Sequence, residues 1–343
     1  VLDAMRRSLV RPADRLSGLV LGCAIGDALG MPVESAEPGA ALRAIERLGG
    51  IKDYLAPQLT ALRTLRHLRP GCWTDETQLV LAISRALVAS RRVDYDAIAE
   101  AFVRTFDSLE LRGWDTVTKQ ACRRLKQGTS RIRSGTIDAA DNAVAARIAP
   151  IAAISTYRGE TRADLLRHCV AVGLMSHRDP RAVVGAYVIG LLVREAIENG
   201  RRWEPDATRW DALVDEAAQA EASIARTVGT SNDPISQNLR ELSDALDSDP
   251  TELAELCEGA TSYACHSIPF VAALLYSRAW EFEDGVLAAV NGGGDTDTNG
   301  AIVGAVLGTA HGIRRLPKRL ADRIEESEVL REVGAALGTI VEP

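Results

Sequence analysis

Apolar residues recur along this chain at three- and four-residue spacing, while alternation with a period of two is scarce. Leu79, Ile83, Ala86 and Leu87 mark one helical face, and Ile98, Phe102 and Phe106 mark another. The same periodicity predicts helices over residues 165–173, 182–197, 212–228, 235–245, 259–280, 297–312 and 328–337. Turn residues separate them at Arg69-Pro70-Gly71, Glu204-Pro205-Asp206 and Asn232-Asp233-Pro234. No low-complexity linker and no 20–50-residue repeat interrupts the pattern. The expectation is an all-α fold, one compact domain over residues 1–343.

Two of the helices carry glycines at every fourth position: Gly18, Gly22, Gly26 and Gly30 in one, Gly300, Gly304, Gly308 and Gly312 in the other. A mid-helix glycine costs about 1 kcal/mol relative to alanine, so the pattern needs a compensating cause. Positions four apart share a face, so each helix presents a stripe almost free of side chains. Close packing of the two helices is the direct explanation, and it would bring their polar ends together.

Those ends hold the chemistry. Trp73-Thr74-Asp75-Glu76-Thr77-Gln78 runs into LVLAISRAL, with Thr74 placed as N-cap and two acids in the first turn. The run from Asn291 through Gly292, Gly293 and Gly294 to Asp295-Thr296-Asp297-Thr298 crowds two carboxylates and two hydroxyls into four residues. Carboxylates so close repel unless a cation or proton lies between them, and oxygen-only clusters suit hard cations. The glycines before them let backbone approach a ligand. Asp27 interrupts the most apolar helix and demands a partner there, while Glu34 follows Pro32 in the loop leaving that helix.

Composition narrows the function class. The 343 residues include 40 Lys+Arg and 47 Asp+Glu, for a net charge of −7, with 46% hydrophobic and only 4% aromatic residues. That is a globular composition, without the basic footprint or stacking rings expected of a nucleic-acid binder. The N-terminus lacks a long apolar region, and the longest apolar stretches read as about 15 residues, short of the roughly 20 a membrane helix needs. Cys23, Cys72, Cys122, Cys169, Cys257 and Cys265 are scattered without a CxxC pair and read as reduced, buried thiols. A cytoplasmic protein without nucleic-acid or membrane partners is expected.

The pieces GCAIGDALGMPVE, GCWTDETQLVLAI and GGGDTDTNGAIVGAVLGTAHG, with weaker echoes in DNAVAARIAP and SHRDP, resemble the ADP-ribosylglycohydrolase family over residues 16–320. The resemblance implies an all-α fold with a pair of Mg2+ or Mn2+ ions at the floor of a cleft. It assigns Thr74, Asp75, Glu76, Asp295, Asp297 and Thr298 as ligands, and Glu34 as the acid beside the scissile bond, with Asp297 shared between metal and chemistry. Asp27, Asn142, Gly293, Gly294 and Thr296 fall at substrate-side positions. His177 falls either there or at an ordinary helix end. The implied reaction is metal-dependent hydrolysis of a ribosyl bond in an ADP-ribosylated protein or small molecule.

Two positions depart from the family pattern. Glu76 stands where Asp is usual, moving the carboxylate by about 1.5 Å, one C–C bond. Asp141 and Ala143 replace the glycines that flank Asn142 in the family, placing an acid and a side chain where a pyrophosphate is admitted. Arg131 and Arg133, just upstream, either offset that charge or lie solvated. These departures keep open a catalytically impaired ADP-ribose-binding relative, and a hydrolase of another N-ribosyl compound lacking the pyrophosphate.

Overall fold

The structure is a computed structural model and describes residues 10–341 apart from 36, 38, 60, 109 and 201–206. The expected turn at Glu204-Pro205-Asp206, like the N-terminal residues before Val10, lies outside the described residues. The fold is all-α. Its first half contains α1 (Pro12–Gly30), α2 (Ala40–Leu48), α3 (Asp75–Ser90), α4 (Tyr95–Phe106), α5 (Thr116–Lys126), α6 (Ala143–Arg147), α7 (Ala149–Tyr157) and α8 (Arg162–Ser176). The second half contains α9 (Pro180–Asn199), α10 (Ala207–Ile224), α11 (Ile235–Glu241), α12 (Pro250–Leu256), α13 (Ala264–Ser277), α14 (Phe282–Asn291), α15 (Thr296–His311), α16 (Lys318–Ala321) and α17 (Ser327–Thr339). Among the described residues the only strands are β1 (Thr136–Ile137) and β2 (His177–Arg178), paired in parallel.

The centre of the molecule is the antiparallel pair α1 and α15, the two glycine-striped helices. A Cβ added at Gly18 would lie 2.2 Å from the Gly308 carbonyl oxygen; at Gly22, 2.3 Å from that of Gly304; at Gly26, 1.9 Å from that of Gly300. Backbone therefore packs directly on backbone, as the stripes predict. The register differs from four-against-four, however. Gly30 lies against the Thr296 carbonyl, whereas Gly312 has left the helix at φ +75° and ends α15. A third helix uses the same device on another face of α1: Gly334 and Gly338 of α17 lie against Ser17 and Ala13.

Packing on every side buries both central helices, so neither shows an amphipathic stripe. The continuous apolar run is longer than expected: residues 12–33 are long and apolar enough to cross a membrane, yet that segment is buried as the core helix. Arg15, like Asp14 and Asp27, interrupts its apolar character. It is 3% exposed, and its guanidinium donates to the carbonyls of Ala196, Thr309 and Ala310 at the C-terminal ends of α9 and α15. All six cysteines are buried and unpaired.

The helix expected over 259–280 is shorter, Ala264–Ser277, because Glu258, Gly259 and Ala260 take successive left-handed conformations at φ +51°, +80° and +50°. That turn becomes one wall of the site. A small satellite core of Met31, Leu65, Leu68 and Cys72 sits beneath the loop before α3. This loop is fastened where Gln58 N donates to Pro32 O and Leu62 N donates to Glu34 O.

Candidate metal centre and cleft

The α1–α15 pairing places the C-terminal end of α1 beside the N-terminal ends of α3 and α15. Asp27 is wholly buried there. Its carboxylate accepts from the Thr74 amide at 2.9 Å, and from the Thr77 amide and hydroxyl at 3.1 and 2.6 Å. Asp27 thus caps α3 from a separate helix, meeting amides that helical bonding leaves open. Thr74 occupies the N-cap position as expected, but its hydroxyl is not spent on the helix. The hydroxyl lies 2.6 Å from Glu76 Oε2, 2.8 Å from Asp27 Oδ1 and 3.4 Å from Asp297 Oδ2.

At the start of α15, Gly293 and Gly294 take φ +82° and +68°, and a Cβ at Gly294 would meet the Gly259 and Ala260 carbonyl oxygens at 2.1 and 2.3 Å. Only glycine fits there. Asp295 follows, its amide donating to Ala260 O and its Oδ2 accepting from Asn142 Nδ2 at 2.8 Å. Asp297 Oδ1 accepts from the Thr298 amide at 2.9 Å, and the Thr298 hydroxyl donates to Glu76 Oε1 at 2.9 Å. Glu76 therefore touches one hydroxyl from α15 and one, Thr74, from the start of its own helix.

The result is two carboxylate triads with one common member. Oxygens of Asp27, Glu76 and Asp297 lie within 4.8 Å of one another, as do oxygens of Glu34, Asp295 and Asp297. Asp75 lies outside both triads, its Oδ1 toward Gly113. Burial, reinforced by Glu76, pushes the Asp27 carboxyl up to about 7 and the Asp295 carboxyl up to about 6. Burial also raises Glu34, Asp75 and Asp297 well above the usual carboxylate range. Asp295 adds to the effect on Glu34, Glu76 to that on Asp75, and Glu34 to that on Asp297.

These residues fit a hard divalent cation. The single Thr74 proton can satisfy one carboxylate, yet two carboxylate oxygens lie within 2.8 Å of that hydroxyl. A positive charge among them resolves the repulsion, and an all-oxygen donor set is the one Mg2+ or Mn2+ takes. A cleft of about 370 Å³ opens onto this centre, lined by Glu34, Leu42, Leu62, Glu258, Gly294 and Asp295.

The other expected site residues are placed differently. Thr296 is buried and its hydroxyl donates to Gly30 O, and Gly293 packs against Leu42. Asn142 is 3% exposed and spends its amide on Asp295 and Ser267. His177 is wholly buried on β2, with Nε2 2.8 Å from Asp141 and Nδ1 2.8 Å from Ser176. Burial alone would raise Asp141, but the hydrogen bond and charge of His177 outweigh it and hold this carboxyl below its ordinary range. Arg131 instead pairs with Asp96 and lies over the Tyr95 ring. Sequence reading missed Thr77, Ser267 and Asn299. Thr77 was legible as the residue one turn into an acidic helix start, and Asn299 lies in the GGGDTDTNG run with no role assigned to it; Ser267 carries no local signature.

The sequence profile of ADP-ribosylglycohydrolase matches residues 8–342. The ADP-ribosyl-[dinitrogen reductase] glycohydrolase of Rhodospirillum rubrum is 28% identical over 94% of this chain and 96% of its own. The ADP-ribosylarginine hydrolase Tri1 of Serratia proteamaculans is 22% identical over 94% of this chain and 79% of its own. ADP-ribosylhydrolase ARH3 of Bos taurus is 22% identical over 94% and 92%. A solved structure described as an ADP-ribosylglycohydrolase-related protein complex superposes with a TM-score of 0.70 at 22% identity, covering 97% of this chain and 99% of that one. With a family profile spanning nearly its whole length and the same helical fold, this chain belongs to the ADP-ribosylglycohydrolase family, and its class is that of a hydrolase.

Proposed function

We propose that the protein is a divalent-cation-dependent hydrolase that cleaves the N- or O-ribosyl bond of an ADP-ribosylated protein or small molecule. The observation that carries this reading is the pair of carboxylate triads sharing Asp297, two of whose members, Glu34 and Asp295, line the cleft. Asp27, Glu76 and Asp297 would hold one cation, and Glu34, Asp295 and Asp297 a second, with the Thr74 and Thr298 hydroxyls beside them. Mg2+ or Mn2+ bound there would supply the positive charge that orients a ribose diol and acidifies a water.

The chain's own groups do the rest. Hydrolysis breaks the bond from the anomeric carbon to the leaving nitrogen or oxygen and forms a new bond to water oxygen; one water proton passes to the leaving group. Glu34 lines the cleft, and its carboxylate is placed to take the water proton and pass it to the leaving group. The surrounding carboxylates stabilise positive charge developing at the anomeric carbon. Leu42 and Leu62 shield the reacting bond from bulk water on one side.

A second reading rests on Asp141 and Ala143, which stand where the family pattern has glycines: a carboxylate whose charge His177 offsets only in part, and an added side chain, favour an N-ribosyl substrate lacking a pyrophosphate, or binding without turnover. Purified protein with Mg2+ or Mn2+ is assayed against ADP-ribosyl-arginine, ADP-ribosyl-serine and simple N-ribosides, with ADP-ribose calorimetry in parallel. Release of free ADP-ribose supports the first reading, and turnover of N-ribosides alone supports the second. Tight ADP-ribose binding with no turnover assigns an impaired relative. Neither binding nor turnover, with cation bound, refutes all three.

A further inference from the structure

Behind Asp295 lies a chain of buried polar side chains that the reaction itself does not use. Asn142, Ser267 and Asn299 are 3%, 0% and 0% exposed. Asn142 Nδ2 donates one proton to Asp295 Oδ2 at 2.8 Å and the other to Ser267 Oγ at 2.9 Å. Ser267 donates to Asn299 Oδ1 at 2.6 Å, and Asn299 Nδ2 donates to the Ala260 carbonyl at 2.9 Å.

The direction of every bond in this chain follows from its far end. A backbone carbonyl only accepts, so Asn299 must turn its NH2 toward Ala260 and its oxygen toward Ser267. Ser267 has one proton, which goes to that oxygen. Its own oxygen is then the acceptor for Asn142, whose NH2 therefore faces Asp295. Asn142 cannot flip to present its oxygen to Asp295 without breaking two bonds.

The backbone around the relay is also tied down. Asn142 N donates to Ser262 O at 2.9 Å, Ala264 N donates to Ala140 O at 2.8 Å, and Ala260 O accepts from Asp295 N at 3.1 Å as well as from Asn299. Three segments far apart in sequence form one rigid unit, which includes the left-handed turn on the cleft wall.

We infer that Asn142 is a positioning residue for Asp295 and that Ser267 and Asn299 act through it, fixing the Asp295 carboxylate for a bound cation. The inference rests on the proposal that Asp295 is a ligand. Partners of this kind around a ligating group are worth about 10–100-fold in metal affinity.

The test is Mn2+ binding by the full chain, followed by electron paramagnetic resonance and calorimetry, with melting of the cation-free protein as a folding control. Asn142→Ala is expected to weaken Mn2+ binding about 10–100-fold. Ser267→Ala should weaken binding by a smaller factor, and the double variant Asn142→Ala/Ser267→Ala should bind no more weakly than Asn142→Ala alone. A merely structural role would lower the melting temperature and leave Mn2+ affinity unchanged. If Asn142→Ala fails to melt cooperatively, Ser267→Ala decides: unchanged affinity overturns the relay. Wild-type affinity in Asn142→Ala, or additive losses in the double variant, overturns it too. A wild-type protein that takes up no Mn2+ overturns the metal-centre proposal and this inference together.

Discussion

Among the described glycines, Gly26 leaves the least room for a Cβ, against Gly300, and Gly26→Ala tests whether that close approach builds the candidate metal centre. The added Cβ would lie 1.9 Å from the Gly300 carbonyl oxygen, 2.3 Å from its carbon and 2.9 Å from Ala301 N, all of them backbone. No rotamer change relieves it, so α15 must withdraw by about 1.5 Å to restore ordinary contact at 3.4 Å. Overpacking of this kind costs up to about 3 kcal/mol or more, and alanine's helix preference returns about 1 kcal/mol. A net loss of about 2 kcal/mol should lower the melting temperature by roughly 3 °C in a chain of this length.

The larger effect falls on the site. Asp27 adjoins Gly26 on one helix and Asp297 lies one turn before Gly300 on the other, and they share a triad whose oxygens lie within 4.8 Å. Metal–ligand distances tolerate about 0.2 Å, so a 1.5 Å separation should weaken Mn2+ binding by about a hundredfold or more. Chemical denaturation and Mn2+ calorimetry read the two effects separately. Gly190→Ala in α9 is the control, since the nearest atoms to its Cβ would be Leu165 side-chain carbons at 3.1 to 3.4 Å. A Gly26→Ala protein within about 0.5 kcal/mol of wild type, binding Mn2+ equally well, would show that the glycine crossing does not position the carboxylates.

Three further outcomes are expected. Asp27 and Asp295 hold protons up to about pH 7 and about pH 6 when folded, but release them near pH 4 when unfolded. Folded protein therefore binds more protons across that window, and chelated protein should lose stability as pH rises from 4 to 7, with Mg2+ offsetting the loss; melts showing the same pH slope with chelator and with Mg2+ would contradict this. Glu76→Asp, although it restores the family pattern, shortens a side chain that reaches both Thr74 and Thr298, so Mn2+ affinity should fall about tenfold, and a rise in affinity or activity would refute this role. Asp141→Asn removes the charge that His177 holds in place, so KM for an ADP-ribosyl substrate should fall severalfold with kcat unchanged; an unaltered KM would place the pyrophosphate elsewhere.

Much of this molecule was legible from local patterns. Helix periodicity, the glycine stripes and the acidic runs TDET and GDTDT depend on residues within a turn or two of each other, and helical geometry converts that spacing directly into a shared face or a capped end. Spatial partners were not legible, because nothing local encodes them. That Asp27 caps α3, that Asn142 serves Asp295 and not an open cleft, and that His177 rather than Arg131 meets Asp141 all depend on contacts across 36 or more residues. The packing of elements remote in sequence decides them, beginning with α1 on α15. Four-residue stripes permit pairings offset by one turn, and the close backbone contact that selects one pairing exists only once the two helices meet.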